Sequence, residues 1–316
     1  MNALVTGGAG FIGSDLCGAL LNKGTNVICV DDFNDYYNPK FKEGNIKPCL
    51  QNKNFRLYRA DITDIKNLRA IFQKNRVDMI VHLAARAGVR ASIENPELYE
   101  KVNVLGTLNM LALAREFRVK NFIFSSSSSV YGNTDVVPFS ENAKTDRPVS
   151  PYAATKKAAE LICYNYSYLY DIPMACLRLF TVYGPKGRPD MAPYKFTELI
   201  CNGKDVPVFG DGTSRRDYTY VADIVNGIIS ALDKEFKFEI INLGNSDPVG
   251  LNHFISLIEK NLGKKAKIKR LPEQPGDVRI TYSDIRKAKK LLNWEPKVKI
   301  DGGMKKFIEW YKRERA

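Results

Sequence analysis

Short apolar runs alternate with helical patterns through the first half of the chain. "ALVT", "NVICV", "FRLYRAD" and "MIVHLA" have strand length, while "FIGSDLCGALLNKG", "NLRAIFQKN" and the stretch from Pro96 to Phe117 carry helical spacing. This succession is the rhythm of βαβ units and predicts an α/β fold, a Rossmann-type doubly wound parallel sheet with helices on both faces. "NFIFSSS" and "MACLRLF" add two further strands. After Phe180 the rhythm loosens into Pro- and Gly-rich text such as "VYGPKGRPDMAPY" and "VFGDGTSRRDYTY", where a smaller C-terminal α/β domain is expected. The expected division is 1–180 for a dinucleotide-binding domain and 181–316 for a substrate domain, with 217–247 returning to the main sheet.

Composition narrows the class. With 316 residues and 44% apolar content, the chain can build one large or two smaller domains. There is no opening signal-peptide pattern, and no apolar run approaches the roughly 18 residues that span a bilayer, so a soluble, cytoplasmic protein without a membrane partner is expected. Cys17, Cys29, Cys49, Cys163, Cys176 and Cys201 are scattered without C-x-x-C spacing, and His82 and His253 lie far from any cysteine pair, so we expect reduced thiols and no metal site. The net charge of +13 is spread along the chain. Its densest clusters, "GKKAKIKR" and "RKAKKLL", interleave lysine with apolar residues as solvated faces of a strand and a helix do. No nucleic-acid partner is expected, and a positive field suits an anionic substrate.

Candidate chemistry begins at "LVTGGAGFIGSDL". Gly7, Gly10 and Gly13 follow a strand and open a helix, the spacing that lets a pyrophosphate approach free N–H groups at a helix N-terminus. The second strand, "NVICVDD", ends in Asp31, whose carboxylate can bind ribose hydroxyls and repels a 2′-phosphate, favouring NAD over NADP. Asp32 and Asn34 stand ready to assist. Asp61 has two readings: it reaches the adenine edge if the strand order is 3-2-1-4-5, or it caps a strand end.

The segment "SPYAATKKAAEL" starts a helix that Ser150 can cap and Pro151 can begin. Tyr152 and Lys156, spaced i, i+4, project from one face, so the ammonium can stabilise a tyrosinate. A phenol titrates near pH ~10 and an efficient general base near ~7, a gap of about 4 kcal/mol that a lysine and an oxidised nicotinamide can help close. Alone, such a pair is far more often an exposed helical pair, and it is the glycine motif, the acidic strand end and the serine strand end that change the weighting. The serine run "SSSSSVYG" adds hydroxyls at the C-terminal end of a strand, where open α/β sheets place their ligands.

Taken together, "TGGAGFIG", "HLAARAGV", "NVLGTLNML", "SSSSSVYG", "SPYAATKKAAE", "LRLFTVYGP", "GDGTSRRDYTYVADIV" and "PGDVRITYSD" resemble the extended short-chain dehydrogenase/reductase family, specifically its nucleotide-sugar epimerases. The resemblance covers nearly the whole chain. It implies a catalytic set of Ser127, Tyr152 and Lys156, with Lys156 on the nicotinamide ribose. The implied NAD contacts are Gly7, Gly10, Phe11, Ile12, Gly13, Asp31, Asp32, Asn34, Asp61, Ile62, Leu83, Ala84, Ala85, Tyr152 and Lys156. Family dehydratases carry Thr-Asp-Glu before the "VYG", and family decarboxylases a glutamate. Here Ser127, Ser128 and Ser129 stand there, without a carboxylate, which leaves reversible oxidation at C4 of the sugar.

"GRPDMA" resembles the motif of UDP-glucuronate 4-epimerases, which implies UDP-glucuronate as substrate and UDP-galacturonate as product. Oxidising C4 of a hexuronate makes a β-keto acid, which loses CO₂ when the carboxylate bond aligns with the carbonyl π system. Arg188 can pin the carboxylate against that alignment, with Ser128 and Thr181 completing the grip. The competing reading pairs Arg188 with a backbone carbonyl or an acidic neighbour such as Asp190. Ser126, Ser127, Ser128 and Tyr152 are the further expected substrate contacts, and by family position Arg216 and Arg279 meet the UDP diphosphate.

His82, inside a strand, is expected to be packed and neutral, and Asn103 to brace the active-site region through hydrogen bonds. Apolar residues in excess around 97–117 and 152–170, including Leu111 and Leu161, imply a homodimer by analogy with related enzymes. Two other readings stay open: a UDP-glucose/UDP-galactose 4-epimerase, and an idle NAD-sensing or nucleic-acid-binding protein on the same fold.

Overall fold

The computed structural model describes residues 1–273 and 278–314. Strand β1 (Asn2–Thr6) leads into α1 (Phe11–Asn22), β2 (Asn26–Asp31) into α2 (Pro39–Ile46) and β3 (Phe55–Arg59) into α3 (Ile65–Lys74). Strand β4 (Met79–His82) precedes α4 (Val89–Glu94), α5 (Pro96–Tyr99) and α6 (Gly106–Glu116), the last two joined by a π turn over Glu100–Leu105. Strand β5 (Asn121–Ser127) is followed by α7 (Pro151–Tyr170) and β6 (Met174–Leu179).

The remaining elements are β7 (Thr181–Tyr183), α8 (Ala192–Cys201), β8 (Asp205–Phe209), β9 (Arg215–Tyr220), α9 (Val221–Leu232), β10 (Phe238–Leu243), β11 (Pro248–Gly250), α10 (Leu251–Leu262), β12 (Lys267–Leu271), α11 (Arg286–Leu292) and α12 (Ile300–Glu314).

Seven strands form one parallel sheet in the order β10-β6-β5-β4-β1-β2-β3. Strand periodicity divides its core between two faces. Val5, Cys29, Val81, Ile123 and Leu177 pack with Leu16 and Leu20 of α1 and Ile224 and Ile228 of α9. Their sequence neighbours Leu4, Ile28, Ile80, Phe124 and Cys176 pack on the other face with Leu68 of α3, Met110 of α6 and Cys163 of α7. The segment after Phe180 forms a three-stranded sheet, β11-β9-β7, and a parallel β8–β12 pair, while β10 returns to the large sheet beside β6. The strand order reverses at β1/β4, and the loops leaving the C-terminal ends of these strands face one crevice, the place where such sheets bind ligands.

One expected interface residue belongs elsewhere. Leu111 is fully buried on the face of α6 that lies against the sheet, because the same helical stripe supplies Met110 and Ala114 to the core. A charge at Leu111 therefore tests folding, not association. All six cysteines are free thiols, no group of metal-ligating side chains occurs among the described residues, and none of the described helices is long and apolar enough to cross a membrane.

Candidate active site

Apart from Asp61 and Arg279, every residue expected at the cofactor and substrate sites lines one cavity of about 800 Å³ at the C-terminal ends of the parallel strands. At one end the glycine turn joins β1 to α1. Gly7 adopts φ 68°, and its N–H donates to the Val30 carbonyl at 2.8 Å. A Cβ at Gly13 would collide with the Gly7 carbonyl oxygen and the Gly8 Cα, so the first turn of α1 closes tightly on the loop and leaves room for an anion. Phe11 and Ile12 continue the same lining, and Ile62, Leu83, Ala84 and Ala85 form the neighbouring wall.

Asp31 ends β2 almost fully buried. Its Oδ1 accepts from the Phe33 N–H at 2.9 Å and from Lys42 Nζ at 3.0 Å, and its Oδ2 accepts from the Ala9 N–H at 3.1 Å. Lys42 also lies 3.6 Å from Asp32, whose Oδ1 accepts from Asn34 Nδ2 at 2.6 Å. Lys42 was not singled out in the sequence. Its signal was Asn38-Pro39, an N-cap followed by proline, which starts α2 and brings a first-turn lysine back over the end of β2. The strand order contains the 3-2-1-4-5 arrangement on which the adenine reading of Asp61 depends; Asp61 is exposed and accepts from the Thr63 N–H at 2.8 Å, as a strand-end cap does, while its neighbours Ala60 and Ile62 face the cavity.

At the other end, α7 begins as expected: the Ser150 hydroxyl accepts from the Ala153 N–H at 3.2 Å and Pro151 occupies the first turn. Tyr152 and Ser127 line the cavity together. Burial drives the Tyr152 phenol above its ordinary value, and the nearby Ser127 hydroxyl and the Arg188 charge only partly offset this. The Ser127 hydroxyl donates to Ser129 Oγ at 3.1 Å and receives the Ser129 N–H at 3.1 Å, which anchors the turn leaving β5.

Lys156 differs from the expectation that it steadies a tyrosinate directly. Its Nζ donates to the Ser125 carbonyl at 2.7 Å and lies 4.9 Å from the centre of the Phe124 ring. A fully enclosed ammonium needs a partner, and the carbonyl of Ser125, one residue past the last β4–β5 pair, supplies one. Burial lowers its pKa to about 8. The cation that acts on Tyr152 in this geometry is Arg188.

Glu160 stands one further turn along α7. Its carboxylate accepts from Ser126 Oγ at 2.6 Å and from Arg178 Nε and Nη2, both at 2.8 Å. Glu160 and Arg178 lie within the quoted segments "SPYAATKKAAE" and "LRLFTVYGP" but carry no expected role there, because an ion pair across elements leaves no local pattern. Asn103 braces the opposite wall: its Oδ1 accepts from the Arg86 N–H at 2.8 Å, and its Nδ2 donates to the Arg86 carbonyl and to Thr155 Oγ1, each at 3.0 Å. His82 sits between Thr6 Oγ1 at 2.7 Å and Thr107 Oγ1 at 3.1 Å; burial lowers its pKa to about 3, so it is neutral.

The loop after β7 carries Arg188 into the cavity, where its Nε and Nη2 donate to the two carboxylate oxygens of Asp190 at 3.0 and 2.5 Å. The acidic-neighbour reading therefore describes one edge of the guanidinium, while its charge still reaches Tyr152. Ser126, Ser128, Thr181 and Arg216 line the same cavity. Arg279 is exposed and outside the lining, but its carbonyl accepts the Arg215 N–H at 2.9 Å and Arg216 Nη1 at 3.4 Å, which sets the two segments side by side. Pro275, Gly276 and Asp277, the motif before Arg279, lie outside the described residues. Four carboxylates line the cavity, Asp31, Asp32, Glu94 and Asp190, and none stands at the end of β5.

Comparison with known proteins gives this geometry relatives. Residues 4–307 match the family described as GDP-mannose 4,6 dehydratase. A UDP-glucuronate 4-epimerase of Thermodesulfobacterium geofontis is 46% identical over 310 residues, 98% of this chain and 95% of that one. The structure superposes with a TM-score of 0.93 on the Bacillus cereus UDP-glucuronic acid 4-epimerase in complex with UDP-glucuronic acid and NAD, at 37% identity over 99% of each chain. A Thermotoga maritima UDP-glucose 4-epimerase with UDP-glucose follows at 0.92 and 34%, again over 99% of each chain.

The glycine turn yields a direct prediction. Gly13→Ala should lose most of any dinucleotide that purifies with the chain, read as absorbance released on denaturation; retention at the wild-type level would contradict the cradle assignment.

Proposed function

The chain belongs to the GDP-mannose 4,6 dehydratase family of extended short-chain dehydrogenase/reductases, and on that premise we propose that it is an NAD-dependent epimerase that inverts C4 of UDP-glucuronate to give UDP-galacturonate. The observation that carries this reading is the conjunction, in one cavity, of a dinucleotide cradle, the Ser127 and Tyr152 hydroxyls and the Arg188 guanidinium.

The residues present fit NAD. The first turn of α1, from Phe11, presents N–H groups without a side-chain cap beside glycines where side chains would clash, and Asp31 presents a carboxylate at the end of β2 for ribose hydroxyls. When bound, NAD would supply the acceptor and then the donor for the C4 hydride. Tyr152 receives the proton of the C4 hydroxyl, directly or through Ser127, and returns it when the ketone is reduced. Because the phenol is raised by burial, the cofactor's positive ring and the Arg188 charge must both help bring it into the working range. Lys156, held to the end of β5, is assigned to the nicotinamide ribose. Between the two hydride transfers the 4-keto sugar turns over, so the hydride reaches its other face.

The family's name raises the question of dehydration, which requires an acid and a base beside the reacting carbons. The end of β5 offers Ser127, Ser128 and Ser129 instead, so elimination lacks its proton carriers here. Arg188, with Ser128 and Thr181, would hold the uronate carboxylate away from the geometry of β-keto acid decarboxylation. Arg216 and Arg279 are assigned to the diphosphate.

A homodimer belongs to the same proposal. Helix α7 exposes Leu161, Tyr164, Tyr168 and Leu169, each more than half accessible, and Leu108 of α6 is 37% exposed. Such a continuous apolar face on two neighbouring helices suits a four-helix interface with a second copy. The reading also includes a cytoplasmic location, in keeping with six free thiols.

The test of function is product analysis by NMR with UDP-glucuronate and UDP-glucose in separate reactions. UDP-galacturonate from the first, with little change in the second, is expected; turnover of UDP-glucose alone would return the assignment to the neutral-sugar 4-epimerases. Tyr152→Phe should reduce turnover by about 10³-fold or more while bound NAD is unchanged; activity within tenfold of wild type would remove Tyr152 from the proton path. Arg188→Ala should weaken use of UDP-glucuronate and release some UDP-pentose with CO₂, whereas wild-type kinetics and a pure product would dismiss the clamp. Leu161→Glu combined with Tyr168→Glu should give a folded monomer in light scattering, and a persistent dimer would place the interface elsewhere.

A further inference from the structure

Asp190 is held from two sides. Arg188 engages both of its oxygens, and the hydroxyl of Tyr36, from the segment after β2, donates to Oδ2 at 3.4 Å. The Tyr36 ring also lies 5.3 Å from the guanidinium carbon of Arg188. The tyrosine reaches this position because Gly88, at φ +106°, has no side chain: a Cβ there would meet the Tyr36 oxygen at 2.7 Å. Burial alone would raise the Asp190 carboxyl, yet Arg188 keeps it below the ordinary range, so it stays ionised.

A guanidinium has five N–H donors. The Nε–Nη2 edge faces Asp190, leaving Nη1 and the second proton of Nη2 for a ligand. The charge balance matters more than the donor count. An unmatched guanidinium in this cavity would penalise any sugar without an anion, since its charge would be desolvated without a partner. Matched by Asp190, it penalises a neutral hexose far less, and it binds a uronate carboxylate against the repulsion of a carboxylate already present. That repulsion also eases release of the sugar when it must turn within the cavity.

We infer that Asp190, braced by Tyr36, is a specificity-determining residue that tempers Arg188 and sets how strongly the cavity prefers an anionic over a neutral sugar nucleotide. This rests on the UDP-hexuronate reading given above and adds to it the residue that limits the preference. Specificity of this kind is a difference between two binding free energies, so it is read as a ratio.

The test measures dissociation constants of UDP-glucuronate and UDP-glucose by calorimetry on the NAD-loaded protein, in a Tyr152→Phe background so that neither sugar reacts. Adding Asp190→Asn, which keeps the size and hydrogen-bonding oxygen but removes the charge, should raise the preference for UDP-glucuronate by about tenfold or more, through tighter uronate binding and weaker hexose binding. Tyr36→Phe, which removes one hydroxyl and keeps the ring, should move the ratio in the same direction by about two- to threefold, and it carries the test if Asp190→Asn does not fold. An unchanged or lowered ratio overturns the inference. Turnover of UDP-glucuronate by the otherwise wild-type chain is followed in parallel: its absence contradicts the underlying substrate reading, while normal turnover beside an unchanged ratio contradicts only the role of Asp190.

Discussion

The buried ion pair between Glu160 of α7 and Arg178 of β6 is the contact on which the geometry of the cavity depends. Both side chains are 1% exposed and meet through two bonds of 2.8 Å. Removing one partner of such a pair costs about 3–5 kcal/mol, because the other is left charged and buried. Glu160 lies four residues after Lys156 and eight after Tyr152, on the same stripe of the helix, so anchoring it sets the rotation and height of α7 against the sheet. The same carboxylate receives Ser126, the residue before Ser127. One interaction thus aligns the end of β5 with the helix that faces it, and Ser127 and Tyr152 meet in the cavity lining as a result.

The cavity divides its electrostatics into two compartments. At the glycine-turn end, Asp31 is held by two backbone N–H groups and Lys42, so the carboxylate is oriented before a ligand arrives. At the Tyr152 end, Arg188 and Asp190 form a second oriented pair, and the serines at the end of β5 contribute hydroxyls without adding charge. The chemistry assigned here needs only one proton carrier because the substrate is oxidised and reduced again at the same carbon. A dehydratase would need more groups in the same place, and Ser127–Ser129 do not supply them.

Most of the large sheet was legible in the sequence because its strands are buried on both faces and its helices are amphipathic, two patterns that local text records well. The glycine turn, the capped start of α7 and the return of β10 also follow from local signals. Less was legible where position depends on contacts between distant segments. Lys42 reaches Asp31 only through the start of α2, Glu160 meets Arg178 only once α7 has packed on β6, and Tyr36 meets Asp190 across 154 residues of chain. Lys156 illustrates a different limit: its spacing from Tyr152 is helical, but the direction of its ammonium is decided by the nearest carbonyl in a dry environment. Leu111 and Leu161 are both leucines in apolar helical text, and only the packing of α6 on the sheet distinguishes the core residue from the exposed one.

The central claim is that the hydride leaves C4 and returns to C4 without leaving the protein. The most direct measurement uses UDP-glucuronate deuterated at C4 with the purified chain in ordinary water and no added NAD, followed by NMR and mass spectrometry of both sugar nucleotides. Retention of deuterium at C4 in UDP-galacturonate, with turnover independent of added cofactor, is the expected result. Loss of the label to solvent, or an absolute requirement for added NAD despite cofactor already bound, would contradict an internal hydride cycle.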